Sequence, residues 1–142
     1  SVKKIIKEEK KFINQKNFVK FRDNVVNAKL DLYKILSNIK RSKKKIYGIG
    51  APSRASTLIN YLGLTSEIMQ CVCEVDGSYK IGNYMPGTNI PIISENKLYK
   101  DQPAYALLLS WHISKELMSN LKKKGFKGKF IIPLPSPMIV VK

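Results

Sequence analysis

Apolar residues near the start of the chain recur three and four positions apart. Phe18, Phe21, Val25, Ala28, Leu32, Ile35 and Ile39 fall on one stripe of a helix. A shorter set, Val2, Ile5, Ile6, Phe12 and Ile13, predicts an earlier helix interrupted near Asn14–Asn17. A stripe of this kind must be buried on the rest of the chain, on another domain or on a second copy. Coiled-coil pairing has only about three heptads to work with, a minimal signal. Beyond Arg41 and Lys43–Lys45 the period changes. Short apolar runs at Lys45–Ile49, Ile68–Val75, Ile90–Ile93, Tyr105–Ser110 and Lys129–Ile132 read as strands. Helical stretches separate them at Ser53–Leu62, Glu95–Tyr99 and Ser114–Lys124; Gly63 and Gly125 stop the first and last of these. The segment Asp76–Pro91, rich in Gly and Pro, reads as a loop, and Pro133, Pro135 and Pro137 forbid regular structure until Met138–Val141.

Strands alternating with helices predict an α/β domain, a Rossmann-like parallel sheet with helices on both faces. The expected division is a basic helical arm over residues 1–42 and the sheet domain over 43–142. Apolar residues make up 44% of the 142, enough for a core in one domain. No apolar run approaches the roughly 20 residues of a membrane span, and the opening segment is too charged for a secretory signal. A cytoplasmic location is the expectation. Because the chain opens on Ser1 inside a helical pattern, it is expected to be part of a longer protein.

The net charge of +16 invites a nucleic-acid reading, but its distribution weakens it. Residues 1–45 hold 15 Lys and Arg against 4 Asp and Glu; the remainder holds 11 against 6. The excess on the arm is nearly all Lys, without the interleaved aromatics or Arg forks that read bases. Cys71 and Cys73 fall inside an apolar strand, where they are expected on opposite faces as buried, reduced thiols. Two cysteines and a single histidine make no zinc site, and no metal ligands are assigned.

In open α/β sheets, ligands sit beyond the carboxyl ends of the strands. That rule points to Gly50–Arg54, Asp76–Thr88 and Ser110–His112, which are also polar or rich in Gly and Pro. Gly48 and Gly50 permit a tight turn, and the helix after them offers free N–H groups to an anion. The third glycine of a dinucleotide fingerprint falls at Ser53, so the match is partial. Asp76 stands where an acid often takes a ribose hydroxyl, although further from Gly48 than the usual ~20 residues. His112 could do acid–base work, but no partner for it can be named. No Ser–His–Asp set or paired carboxylates appear, and no residue is assigned a catalytic role. The residues alone lead to a phosphate- or nucleotide-binding α/β domain.

Four stretches in order carry a resemblance across essentially the whole chain: Tyr47–Asn60 (YGIGAPSRASTLIN), Val75–Ile92 (VDGSYKIGNYMPGTNIPI), Tyr105–His112 (YALLLSWH) and Phe130–Pro135 (FIIPLP). The chain resembles the carboxy-terminal domain of the sugar C-methyltransferases. That family acts on deoxysugars linked to a nucleoside diphosphate, commonly dTDP. Its members have a zinc-binding segment, a central S-adenosylmethionine domain and this domain. The resemblance implies acceptor binding here, with methyl transfer catalysed by an upstream domain, no cofactor on this domain and no activity from the chain alone. Gly50, Ala51, Pro52 and Ser53 would approach the diphosphate or sugar together with Arg54, while Lys80, Pro86, Gly87 and Thr88 match the loop after the second strand and Trp111 the aromatic after the third; Gly48, Asp76 and His112 complete the candidate binding set from the turn and strand-end readings above. Arg54 stands where the family often has Lys, and His112 where Asn is common. Two other classes stay open: a stand-alone NAD- or CoA-type regulatory module, and a nucleic-acid-binding module using the arm. A homo-oligomer formed through the arm is also compatible with the pattern.

Overall fold

A computed structural model describes residues 2–141; Ser1, on which the fragment reading rests, lies outside them. Two helices open the chain, α1 (Val2–Phe12) and α2 (Gln15–Arg41), with Asn14 capping the second through a hydrogen bond from the Asn17 N–H. Then come β1 (Ile46–Ile49), α3 (Ser53–Leu62), β2 (Cys71–Glu74), β3 (Ile92–Ser94), α4 (Asn96–Asp101) and β4 (Tyr105–Leu108). A short 3-10 turn at Trp111–Ile113 leads into α5 (Ser114–Lys123), β5 (Lys129–Ile132) and β6 (Met138–Val140).

The strands form one sheet in the order β3-β2-β1-β4-β5-β6. The first five are parallel, as the alternation of strands and helices predicts, and β6 runs antiparallel to β5. The proline-rich segment 133–137 is too short for a crossover, which needs about a dozen residues, so the chain can only turn back beside β5. The order reverses between β1 and β4, so the helices that follow them lie on opposite faces of the sheet.

Alternation along each strand sorts side chains to two faces. On one, Ile46, Val72, Leu107, Leu109 and Ile131 meet Leu32, Leu36 and Ile39 of α2 and Ala55, Ile59 and Leu62 of α3. On the other, Tyr47, Ile49, Ala106, Leu108 and Phe130 meet Leu98 of α4 and Leu121 of α5. Cys71 and Cys73 both join this second face as free thiols, which corrects the expectation of opposite faces: residues two apart on a strand share a side. A hydrogen bond with Cys71, and then burial, hold the Cys73 thiol above its ordinary pKa, so it is a packing residue and not a nucleophile.

Gly48 lies inside β1 and is buried. A Cβ there would come within 2.9 Å of the Met69 sulfur and 3.0 Å of Leu109 and Val72 side-chain carbons. Its requirement is close packing under the helices, not contact with a ligand. Gly48→Ala is expected to lower stability by about 1–3 kcal/mol through overpacking, read as a lower urea midpoint at unchanged slope.

The strand predicted over 68–75 is shorter, because the Ile68 and Met69 N–H groups both donate to Thr65 O at 3.0 Å in a turn. The arm stripe is buried only in part. Ala28, Leu32, Leu36 and Ile39 are buried, whereas Phe18 and Phe21 are 60% and 68% exposed. The cause is length. A 27-residue helix runs about 40 Å and four-residue strands about 13 Å, so α2 overhangs the sheet.

Candidate functional site

At the end of β1, Gly50 takes φ 80°, a left-handed conformation that glycine tolerates, and a Cβ there would sit 2.9 Å from Ser110 Oγ. The loops after β1 and β4 therefore run close together, and a side chain at position 50 would have to displace the Ser110 hydroxyl as well as adopt the left-handed conformation. Gly50 N–H donates to Cys73 O at 2.8 Å, and Ala51 N–H donates to Glu74 Oε2 at 2.8 Å. Pro52, at φ −69°, leads into α3. Proline has no N–H, and the Ala55 N–H turns back to Pro52 O at 2.9 Å. The N–H groups of Ser53 and Arg54 are left without a protein acceptor among the described residues, at the positive end of a ten-residue helix.

Lys80 comes from the loop after β2 and donates through Nζ to Ala51 O at 2.8 Å. The Ala51 peptide is therefore held on both sides, by a carboxylate at its N–H and an ammonium at its C=O. Two of the three ammonium donors of Lys80 remain for other partners. Ala51, Pro52, Ser53, Lys80 and Pro86 line one cleft of about 580 Å³ together with Ser56, Tyr79, Asn83 and Tyr84. Arg54 and Trp111 line a second opening of about 490 Å³ on the other flank of α3, where Ala28, Leu32, Leu58 and Leu134 supply apolar walls. The start of α3 is a saddle between the two, and neither opening is lined by an acidic side chain. Arg54 itself is exposed and makes no ion pair among the described residues.

The remaining candidates are placed differently. Gly48 is enclosed in β1, away from both openings. The carboxylate of Asp76 accepts from Ser94 Oγ and Asn96 Nδ2 and ties the loop to the end of β3. Gly87 packs on α3, where a Cβ would come 2.5 Å from Asn60 Oδ1, and Asn60 Nδ2 donates to Pro86 O at 2.9 Å. Thr88 Oγ1 donates to Met85 O and accepts from Ile90 N–H, closing the same turn. The Pro86–Thr88 stretch is thus a turn fastened to α3, with Pro86 alone at the cleft. His112 is exposed in the 3-10 turn beside Trp111.

Glu74 is the residue that the sequence did not single out. It ends β2, the position from which an acid normally reaches a ribose diol. Its two oxygens accept from Ala51 N–H and from Val75 N–H, the latter at 3.1 Å. Asp76 is likewise hydrogen-bonded, so protein donors orient both acids at this edge, and each oxygen keeps a lone pair. Among the described residues no three His, Cys, Asp or Glu side chains cluster, and no helix is long and apolar enough to cross a membrane.

A family model described as the C-methyltransferase C-terminal domain matches residues 1–135. The C-methyltransferase NovU of Streptomyces niveus is 34% identical over 100 residues, a stretch covering 68% of this chain. The same stretch is 23% of that relative's length, so the chain spans about a quarter of it.

Proposed function

The chain belongs to the family of C-methyltransferase C-terminal domains, and we propose that it grips the acceptor in such an enzyme while another domain of the same protein supplies S-adenosylmethionine. The acceptor in this reading is a deoxysugar linked to a nucleoside diphosphate, with dTDP as the nucleotide. The observation that supports it is the saddle at the start of α3. There the Ser53 and Arg54 N–H groups lie at the helix start, with Arg54 lining one opening and Lys80 the other, and neither opening has acidic lining. Such a place suits a diphosphate, which is doubly charged and takes N–H donors and Arg forks well.

The division of labour follows from what methyl transfer requires. The attacking carbon of the sugar must be held in line with the methyl sulfonium at roughly 3–3.5 Å. A grip on the remote diphosphate supplies that positioning without touching the reacting atoms, and its binding energy appears in the rate as well as in affinity. Separated from the domain that carries the donor, this chain is expected to bind and not to transfer methyl groups.

Calorimetric titration with dTDP, a dTDP-sugar, S-adenosylmethionine and NAD at two salt concentrations tests the reading. Saturable binding of the dTDP ligands alone is the expected result. Arg54→Ala should weaken it roughly 10- to 100-fold, the loss of hydrogen bonds from a charged group worth about 1.5–3 kcal/mol. Arg54→Lys should fall between, because it keeps the charge and loses the fork. Selective binding of NAD would replace this reading with a dinucleotide-dependent regulatory module.

A further inference from the structure

We propose that the apolar cavity between α2 and α3 receives the nucleobase of the bound nucleotide, stacked on Trp111. The proposal rests on the nucleoside-diphosphate reading above and adds where the base goes.

Position is the first argument. Arg54, Thr57, Leu58, Tyr61 and Leu62 line the cavity from α3. Their spacing places them on one face, and from Arg54 to Tyr61 that face rises about 10 Å. Arg54 therefore stands at both the phosphate saddle and the cavity mouth. A nucleotide with its phosphates at the saddle can lay its base along this wall.

The chemistry of the walls fits a base better than a sugar. At about 490 Å³ the cavity lies within the size range of small-molecule sites. Its walls are largely aliphatic, with the half-buried indole of Trp111 as the flat surface on which a base can stack. Thr57, Tyr61 and Lys29, whose Nζ lies 4.3 Å from the centroid of the Tyr61 ring, offer the few polar groups that a base edge needs. A sugar with several hydroxyls would leave them unpaired there, and the cleft on the other flank, with Ser53, Ser56, Asn83 and Tyr84, accommodates them.

Trp111 is the only tryptophan of the chain, so its emission reports on this cavity. Titration with dTDP is expected to quench it along the same saturation curve that calorimetry records, whereas pyrophosphate should bind without quenching. Trp111→Ala should weaken dTDP roughly 5- to 100-fold, the factor that about 1–3 kcal/mol of base–aromatic stacking represents. It should leave pyrophosphate affinity unchanged, and Trp111→Phe should recover most of the loss. If dTDP binds with Trp111 emission unchanged, the base lies elsewhere. This proposal is then overturned, the diphosphate grip stands and the cavity is left for an apolar protein surface. If neither dTDP nor pyrophosphate binds, the reading of the preceding subsection falls and this one with it.

Discussion

Phe130→Ala is expected to lower the free energy of unfolding by about 3–5 kcal/mol, as truncation of a fully buried aromatic does. Phe130 is 0% exposed in β5 and is among the largest fully buried side chains. Its ring meets Phe126 edge to face with centroids 5.3 Å apart, and Lys122 Nζ lies 5.6 Å from its centre. The cavity left by truncation would be walled by strands and by α5, elements that cannot collapse inward without breaking the sheet. With about 5–15 kcal/mol of stability available to a typical domain, the loss would leave a marginal protein. Urea denaturation checks this. A loss below about 1 kcal/mol would mean that the face covered by α4 and α5 repacks freely, contrary to its dense burial.

The second large effect separates the two halves of α2. Leu32→Ala is expected to cost about 2–5 kcal/mol, because Leu32 is 1% exposed and joins Leu36 and Ile39 in the core beneath the sheet. Removing residues 2–22 should change stability by less than about 0.5 kcal/mol, because among the described residues none before Ala28 is buried. Urea midpoints of the two variants measured side by side decide the matter. A large loss on truncation would show that the exposed stripe from Phe18 to Val25 already has a partner, such as a second copy, in solution.

Much of the fold was legible because period and burial coincide in it. The strands at Ile46–Ile49, Tyr105–Leu108 and Lys129–Ile132 are short apolar runs between clear punctuators, and Gly63 takes the left-handed conformation at the end of α3 that its position predicted. Ile68 and Met69 lie in a turn and not in the predicted strand, because apolar residues in a turn carry the same sequence signal as a strand. The overhang of α2 could not be read at all, because a stripe records which side of a helix is apolar and not how far the partner extends. At the site, the turn Gly50–Arg54 was visible as local chemistry. The hydrogen bond between Ala51 and Glu74 spans 23 residues and has no local signature. β2 ends at Glu74, one residue before the predicted end, so the acid that faces the turn is Glu74 and not Asp76. The Pro86–Thr88 turn is marked by Gly and Pro, which signal tight turns of every kind, whereas its fastening to α3 through Asn60 has no local signature.

One helix is shared between the overhanging arm and the wall of the cavity: Val25, Ala28, Lys29 and Leu32 line that opening, and Phe18 and Phe21 stand on the same stripe toward its free end. A continuous helix moves as a unit, so whatever engages the free half changes the work needed to open or close the cavity. That coupling is reciprocal. An occupant that binds better with the arm held must, by the same factor, make the arm hold its own partner more tightly.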